Sequence, residues 1–547
     1  MASLNSVLDI AKTSLLANQK AISVTSHNIS NANTPGYTRQ KAVLETMNPV
    51  IGPGGLLFGT GVNITSIERV YDSFQGVQLR AAGSKLSGYD TGQGLMKTLE
   101  STLYDANGSG LSSPLDGFFN AFHNVANNPA SSAERSTLLS NATILADRFN
   151  SVNTSIRQNL TNINNEVGAQ IDKVNTLSRQ VAELNNQIST VEIAGITAND
   201  LRDKRDLLLD NISKIINITT RENNNGVMDV YTSRGSFLVE GVKASPLTAG
   251  VNDSNPFLSD IISNGSVITN TINGGSLKGL IDASGKYQET IDKVNLMAAT
   301  LIKAVNVQHR AGFGLDGSTG VDFFAPANVY TKPSFSNTGG AAISAGAVTD
   351  QSLLTVNDYE IRFINPSNYT IVNKSTNAVV LNGAYTSGSA IAFDGLSFVI
   401  SNNTGAPAAG DAFTISTTRY AAQNMRVAVT NTDRVAAASS AATLPGDNTN
   451  ALTMADIKNS PVLNGSTLNQ YFNALVADIG VVTNSAATNR DAQSKVVEEL
   501  QLARDSISGV SLEEEAVSLI KLQKAYEASA KVMATADKMF DALLAIR

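Results

Sequence analysis

Residues 27–40 read HNISNANTPGYTRQ, and the regular helical pattern of the preceding residues ends within this stretch. Asparagine tolerates the left-handed backbone conformation in which many helices end. Thr34 precedes a proline, which disfavours helical backbone angles for it. We therefore expect the helix to end near Asn31 or Asn33, and we interpret the stretch as a joint between two parts of the structure rather than a catalytic loop. The predicted joint residues are Asn28, Asn31, Asn33, Pro35, Gly36 and Tyr37.

Upstream of the joint, apolar side chains recur every seven residues, which is the spacing by which one helix packs against a partner helix. The first predicted seam consists of Leu4, Leu8, Leu15, Ile22 and Ile29. The end of the chain repeats the pattern, and Ser511 followed by Glu514 forms a capping-box sequence that predicts a helix start. The second predicted seam consists of Leu512, Leu519, Leu522, Tyr526, Met533, Phe540, Leu543 and Leu544.

The two end helices are expected to pair with each other as a coiled coil. The alternative is that they are two ordinary amphipathic helices on a larger core, since most apolar stripes of this kind face a core. Their position at the two chain ends, without other apolar segments beside them, favours the pair.

A third apolar pattern, with spacings of three, four and seven residues, begins after Ser131 and continues to Ile188. It predicts a single helix of about 60 residues and roughly 90 Å, at 1.5 Å per residue. So long a rod is more typical of an elongated subunit than of a compact enzyme domain. Further helices are expected to begin at Ser113 and Asn199 and to cover residues 278–310 and 468–508.

From about residue 330 to 420 the helical period gives way to an alternation of apolar and polar residues. Tyr359, Ile361 and Phe363 would share one face of a strand. Asp394-Gly395 is a strong signal for a two-residue hairpin turn. We interpret this segment as antiparallel β-structure inserted into a helical body.

The expected fold class is α+β and multidomain, in which a long coiled-coil α-helical core is built from both chain ends and carries an inserted antiparallel β domain. A chain of 547 residues is long enough for several hydrophobic cores. The predicted domains are a terminal coiled-coil domain (1–33 plus 511–547), a mainly helical shaft (34–329 plus 421–510, with a small strand-rich part near 221–275) and an inserted β domain (330–420).

The composition argues against several classes of protein. The net charge is −7 and only 16% of the residues are charged, without any basic cluster, so a nucleic-acid-binding protein is not expected. The chain has no cysteine, which rules out disulfides and thiolate metal sites. Its N-terminus lacks the basic and continuous apolar segments of a cleavable signal peptide, and no apolar run is long enough for membrane insertion.

No motif for catalysis, a metal ion or a cofactor emerges, and we expect none of these. His27, His123 and His309 each lack a second metal ligand three or four residues away, so a solvated or capping role is expected for each. Residues 279–287, GLIDASGKY, lack the spacing and the hydroxyl residue of a phosphate-binding loop. The glutamates at 513–515 lie in a predicted first helical turn, where the helix dipole accounts for negative charge.

Residues 27–40 resemble the N-terminal signature of the bacterial flagellar axial proteins, the family of rod, hook and hook-associated proteins. The chain end, SGVSLEEEAVSLIKLQKAYEASAKVMATADKMFDALLAIR, resembles the C-terminal helix of that family. Residues 199–215, 275–295 and 320–324 are similar to its hook-associated members. Hook and rod proteins would not place so long a helical rod first. The resemblance covers nearly the whole chain and is weakest in the predicted β insert.

The resemblance implies a structural component of the flagellum that joins the hook to the filament as a ring-like layer of identical subunits. It implies contacts with the hook protein, with a second junction protein (hook-associated protein 3), and with a cytosolic export chaperone that covers about residues 512–544. It also implies an extracellular location, reached by type III export without a cleaved signal.

The end helices are expected to be largely disordered in the monomer. A lone pair of helices of about 30 residues buries little surface, whereas ordering each residue costs roughly 1–2 kcal/mol of backbone entropy. Neighbouring subunits would then cover the remaining apolar faces during assembly.

Three other interpretations stay open: another axial protein such as the hook or distal rod protein, a secreted glycan hydrolase, or an adhesin carried by the β insert. A hydrolase needs a pair of carboxyl groups that flank the scissile bond. The acidic residues considered in the insert give no clear pair, and they are Asp358, Glu360, Asp394 and Asp411.

Overall fold

The computed structural model describes residues 2–51, 55–104, 110–223, 225–252 and 255–545. Long helices make up most of it, and its sheets are antiparallel, which confirms the predicted α+β class. The helices are α1 Ala2–Asn31, α2 Ser73–Leu103, α3 Ser112–Asn127, α4 Ser132–Ile193, α5 Asn199–Ile215, α6 Gly275–Ala311, α7 Ala421–Asn424, α8 Thr449–Asp456, α9 Leu468–Ser508 and α10 Leu512–Ala545.

The predicted rod is α4, a single helix of 62 residues. The side chain of Ser131 accepts a hydrogen bond from the backbone N–H of Glu134 at 3.3 Å and so caps its first turn. One face of α4 is buried along its length against the other helices and the small strands, from Leu138 to Ile188. The apolar spacing of the sequence therefore located the central helix of the body correctly.

α2, a helix of 31 residues, was not predicted from the sequence. Its sequence contains five glycines, which lower helix propensity by about 1 kcal/mol each relative to alanine. The glycines permit a close crossing of two helices, because a Cβ atom added at Gly279 of α6 would lie 2.4 Å from the carbonyl oxygen of Gly88 in α2. Residues 279–287, which were compared above with a phosphate-binding loop, thus belong to a helix crossing.

All the strand pairings are antiparallel. The strands are β1 Gln40–Thr46, β2 Val50–Ile51, β3 Leu57–Phe58, β4 Val62–Arg69, β5 Ile218–Glu222, β6 Met228–Thr232, β7 Phe237–Glu240, β8 Lys243–Ala244, β9 Leu247–Gly250, β10 Asp260–Ser263, β11 Ser266–Val267, β12 Tyr330–Pro333, β13 Ala341–Ile343, β14 Ala347–Val348, β15 Asp358–Asn365, β16 Asn368–Asn373, β17 Val379–Ala384, β18 Ala390–Phe393, β19 Leu396–Asn402 and β20 Ala412–Ser416.

The segment from β12 to β20 forms two sheets. One has the order β12-β20-β15-β16-β17, and in the other β19 pairs with β13, β14 and β18. Tyr359, Ile361 and Phe363 lie buried on one face of β15, as the alternation predicted. Asp394 and Gly395, with φ of 46° and 74°, form the turn between β18 and β19. This segment has a hydrophobic cluster separate from that of the helical body.

A two-stranded arm, β1 paired with β4, leaves the helical body directly after the joint and was not predicted. Its tip is formed by β2 and β3. The exposed side chains of the arm include many apolar ones, namely Leu44, Met47, Val50, Ile51, Leu56, Leu57 and Phe58. β1 and β4 lie against α1, whereas the tip is exposed, and a two-stranded ribbon of this kind gives only a weak sequence signal.

His309 lies in the core at the end of α6, so its expected solvated or capping role is wrong. Its Nδ1 atom lies 2.7 Å from the carbonyl oxygen of Val321, and its Nε2 atom accepts a hydrogen bond from the N–H of Ala436 at 2.9 Å. These contacts fix a neutral imidazole with the proton on Nδ1. Burial lowers the pKa of His309 because it disfavours the charged form.

We expect the free energy of unfolding to fall as the pH is lowered below about 6.5, because the unfolded state gains a proton on His309 that the folded state resists. A His309→Gln variant keeps a donor and an acceptor but does not titrate, so its stability should decline less. Urea unfolding between pH 5 and 7.5 measures the difference. The exposed His123→Gln is the control, and equal pH slopes for all three proteins would contradict the prediction.

Candidate functional site

The two end helices, α1 and α10, lie antiparallel against each other. The hydroxyl groups of Ser14 and Ser529 are 2.8 Å apart, and Asn28 Nδ2 donates to Glu515 Oε2 at 3.1 Å. As the residue number increases along α1, the number of the contacting residue in α10 therefore decreases. The two chain ends are held side by side, as expected for a terminal pair.

The buried line of this pair differs from the predicted seams. The buried side chains of α1 and α10 are mostly small or polar: Ala11, Ala17, Ala21, Val24, Thr25, Asn28, Glu515 and Ala536. The half-buried predicted residues are Leu4, Leu8, Leu15, Ile22, Ile29, Leu519, Leu522, Met533 and Phe540. Small side chains let the backbones of two helices approach closely. A period of seven residues does not show which of two neighbouring rows of side chains lies at the contact between the helices.

Two predicted seam residues, Leu512 and Tyr526, are exposed in the single chain, so they are not part of its own helix pair. The side chains of Leu543 and Leu544 lie outside the described residues. Other large apolar side chains are exposed on the same two helices: Val7, Ile10, Leu16, Val517, Ile520, Val532 and Met539. Each helix thus has apolar surface that its partner within the chain leaves uncovered.

The amide of Asn28 is the centre of the joint. Its Nδ2 atom donates to the carbonyl oxygen of Gln40 at 2.8 Å and to Glu515 at 3.1 Å. Its Oδ1 atom accepts from the N–H of Gln40 at 2.9 Å and from the hydroxyl of Tyr37 at 2.8 Å. The side chain is buried with all its hydrogen-bonding capacity used. It connects α1, the outgoing strand and α10 in one group.

Arg39 adds an ionic connection from the joint to α10. Its Nε atom lies 2.7 Å from Glu515 Oε1, and its Nη1 atom lies 3.3 Å from Glu514. Its backbone N–H donates to the carbonyl oxygen of Ser508, at the end of α9, at 3.0 Å. The helix dipole alone therefore does not account for the glutamates at 513–515, because the buried Glu515 has specific partners, Asn28 and Arg39, that were not predicted.

The other side of the joint is held by α5. Asp203 accepts from the N–H of Thr38 at 3.0 Å and from Arg69 Nη1 at 2.9 Å, and Asp206 accepts from Arg69 at 2.8 Å. Asp200 accepts from the side chain of Gln40 at 2.8 Å. Burial raises the pKa of Asp203, and Arg69 opposes this rise. The alternation of aspartate and arginine in α5 was a visible signal for this site.

The rest of the predicted motif shapes the backbone of the joint. α1 ends at Asn31, whose Nδ2 donates to the carbonyl oxygen of His27 at 3.0 Å. The positive φ belongs to Gly36, at 80°, and not to Asn31 or Asn33; the expected left-handed asparagine is wrong. A Cβ atom at Gly36 would lie 3.2 Å from Leu207 Cβ in α5. The remaining two motif residues, Asn33 and Pro35, are exposed.

Among the described residues no cluster of histidine and acidic side chains could hold a metal ion. Within the same part of the chain, none of the helices combines the length and apolar character needed to cross a bilayer. The joint is chemically a set of satisfied hydrogen bonds and ion pairs. Such an arrangement can hold elements in a fixed relation.

Models of known protein domains match most of the chain. The model "Flagellar hook-associated protein FlgK helical domain" matches residues 96–324, and "Flagellar hook-associated protein 1, D2-like domain" matches 334–417. The chain ends match "Flagella basal body rod protein" at residues 8–38 and "Flagellar basal body rod FlgEFG protein C-terminal" at residues 504–546.

Whole proteins match as well. Flagellar hook-associated protein 1 of Escherichia coli strain K12 is 32% identical over 100% of both chains. The protein of the same name from Bacillus subtilis strain 168 is 26% identical over 98% of this chain and 97% of its own. The structure of the flagellar hook junction protein FlgK from Burkholderia pseudomallei shares the fold, with a TM-score of 0.67 and 22% identity over 79% of this chain and 100% of that one.

Replacing Asn28 by alanine should loosen the joint. The change leaves backbone groups of Gln40, the hydroxyl of Tyr37 and one contact of Glu515 without a partner in a buried place, at a cost of about 2–4 kcal/mol. Hydrogen exchange of residues 22–40 and 512–522 should accelerate accordingly. The exposed Asn33→Ala is the matched control, with an expected change below about 0.5 kcal/mol; similar exchange in both variants would show that Asn28 does not hold the joint.

Proposed function

The chain belongs to the family of flagellar hook-associated protein 1, and on that premise we propose that it forms the junction between flagellar hook and filament by assembling through its paired end helices. The family places it in the flagellum as a structural component. The observation that supports the assembly mechanism is the apolar surface of α1 and α10 that the chain itself leaves exposed.

The end-helix pair contains too little buried surface to be firmly folded alone. The fully buried side chains of α1 and α10 are mostly small or polar, and the large apolar ones are at most half-buried in the described part of the chain, whereas ordering each residue costs roughly 1–2 kcal/mol of backbone entropy. The joint fixes the end of the pair nearest the shaft. The distal turns therefore depend on neighbouring subunits, which supports assembly on a template over assembly in free solution.

The apolar tip of the β1–β4 arm gives neighbouring subunits a second surface. Val50, Ile51, Leu57 and Phe58 are exposed there, and residues 46–67 contain no charged side chain. Large exposed apolar patches are typical of protein interfaces. In a ring-like layer of identical subunits, the arm and the end helices would both be covered.

The partners that fit this role are the hook protein on one side and hook-associated protein 3 on the other. Before assembly, the exposed apolar residues of α10, including Val517 and Ile520, need protection from self-association. A cytosolic export chaperone over about residues 512–544 would supply it. We propose type III export without a cleaved signal, followed by an extracellular location at the flagellum.

A catalytic role for the insert has no support in its carboxyl groups. Asp411 accepts hydrogen bonds from the backbone N–H groups of Thr338 and Ala408, and Asp394 accepts one from the hydroxyl of Tyr359. Asp358 and Glu360 pair with Thr418 and Arg362. These carboxylates hold loops and strands, so we propose a structural role and not an enzymatic one.

In the monomer, hydrogen exchange should become faster along the end helices with distance from the joint. Residues 2–14 and 530–545 are expected to exchange at least about a hundred times faster than α4, because local opening there breaks few buried contacts. Assembly onto hooks should slow this exchange. Protection equal to that of α4 in the free monomer would contradict the proposal and indicate a self-contained helix pair.

Ile520→Glu tests the assembly surface directly. Ile520 is 57% exposed in the single chain, so monomer stability should change by less than about 0.5 kcal/mol. Burial of the new charge between subunits should reduce binding to isolated hook ends at least about tenfold. Ile364→Glu, at a position 61% exposed in the insert, is the matched control, and equal binding by both variants would count against this interface.

A further inference from the structure

A small cavity, the joint cavity, lies where four parts of the chain meet, and its volume is about 50 Å³. It is lined by residues 36–38 of the joint, by the start of α2, by the middle of α5, and by the segment that leads from the last turns of α9 to Gly509. The chain passes this cavity twice, once after α1 and once between α9 and α10. Both connections between the end helices and the shaft therefore border it.

The charged side chains on the wall of the joint cavity are paired with opposite charges. Arg80 Nε lies 3.1 Å from Asp210 Oδ1, and Arg504 Nη2 lies 3.2 Å from Asp505 Oδ1. The remaining aspartate of the wall is the partner of Arg69 described above. Because these charges are balanced, the wall does not favour an ion. An apolar occupant is unfavourable as well, since it would leave buried polar groups without partners.

Two polar groups of the wall have hydrogen-bonding capacity that the described residues do not use. The side chain of Arg80 is only 9% exposed. Its Nε–H has no acceptor among the described residues, because the carboxylate of Asp210, although close, is not aligned with the N–H bond. The hydroxyl oxygen of Tyr71 accepts from Arg80 Nη2 at 3.1 Å, which leaves the hydroxyl hydrogen available to a further acceptor. A buried donor without an acceptor is costly, so an acceptor in the cavity would stabilise the joint.

The size of the joint cavity selects its occupant. A cavity holds a water molecule once it offers about 10–15 Å³, and the share of one molecule in liquid water is about 30 Å³. A volume of about 50 Å³ is thus room for roughly one or two water molecules. Pockets for small organic ligands are larger, at about 300–1,000 Å³. Water also acts as donor and acceptor at once, as a wall of mixed donors and carboxylates requires.

We propose that the joint cavity is a water-binding site, in which bound water accepts from Arg80 Nε and the Tyr71 hydroxyl and donates to the carboxylates of Asp206 and Asp210. The water connects α2 to α5 beside the two chain connections that carry the end helices. No covalent bond changes. The site lies within one subunit, so it does not depend on the proposed junction role.

Gly76 keeps the space for this site open. A Cβ atom at Gly76 would lie 2.3 Å from the Tyr71 hydroxyl oxygen and 3.3 Å from Arg80 Nη2. A larger residue would therefore push the hydroxyl into the cavity or away from Arg80. This glycine of α2 has a specific role at the joint, although it lowers the helix propensity.

Selective 15N labelling of arginine in the deuterated full-length monomer tests the site directly. We expect the Nε–H of Arg80, assigned by its loss in Arg80→Lys, to give a cross-peak to water with the sign of a bound molecule. The peak should persist in Tyr71→Phe, where exchange through the tyrosine hydroxyl is impossible and the carboxylates remain as partners. The Nε–H of Arg362, whose side chain is 60% exposed, is the control and should show only bulk water.

Gly76→Ala tests the space. It should abolish the water cross-peak of Arg80 and accelerate hydrogen exchange of residues 36–40 and 504–511 at least about threefold, because local opening there then breaks fewer contacts. The matched control is Gly83→Ala in the same helix, where an added Cβ meets no atom within 4 Å. This control should leave the cross-peak and the exchange of both segments unchanged.

The absence of a bound-water cross-peak at Arg80 in the natural protein, or its loss in Tyr71→Phe, would overturn the proposal. A monovalent cation is the alternative occupant, and it would be indicated if replacing sodium by choline accelerated exchange of residues 36–40. If Gly76→Ala fails to fold, the natural protein and Tyr71→Phe still decide. Neither measurement involves hooks or filaments, so a failure of the water site is distinguishable from a failure of the assembly proposal.

Discussion

One buried amide, that of Asn28, connects the parts of this molecule that the chain separates most widely in sequence. It is bonded to the strand that leaves the joint and to Glu515, near the start of the last helix. A buried amide of this kind is costly when unpaired and gives a unique arrangement when paired. The register of α1 on α10 follows from it, since the first and last helices must be placed so that all its bonds are made.

Around that amide, ion pairs connect the joint to two different helices. Arg39 binds the start of α10, and Arg69 binds α5. Both arginines stand at the base of the β1–β4 arm, one just before its first strand and one at the end of its last. The same short segment therefore holds the end helices, the arm and the shaft, and each of these elements has its position defined relative to the joint.

The sequence predicted the elements that have a long, regular apolar period. α4 was found because its buried side chains repeat over 62 residues, and β15 because its alternation is strict. α2 was not predicted because its glycines lower its helix propensity. The arm was not predicted because its apolar residues are exposed, and a strand is recognised by apolar residues on one buried face. The buried line of α1 was missed for another reason: apart from Val24 it is built from alanine, threonine and asparagine, which give only a weak hydrophobic pattern.

Because α4 is long, a small change of angle at the joint would produce a large displacement at the far end of α4. α5 is fixed near the C-terminal end of α4, where Arg202 binds Glu192 at 2.6 Å. The base of the insert is fixed further along the same helix, where Asn150 binds the carbonyl oxygens of Ala422 and Met425. The separation is about 40 residues, or roughly 60 Å. A tilt of about 5° at the joint would move the insert by about 5 Å, so the packing of a few polar side chains at the joint determines where the insert lies relative to the end helices.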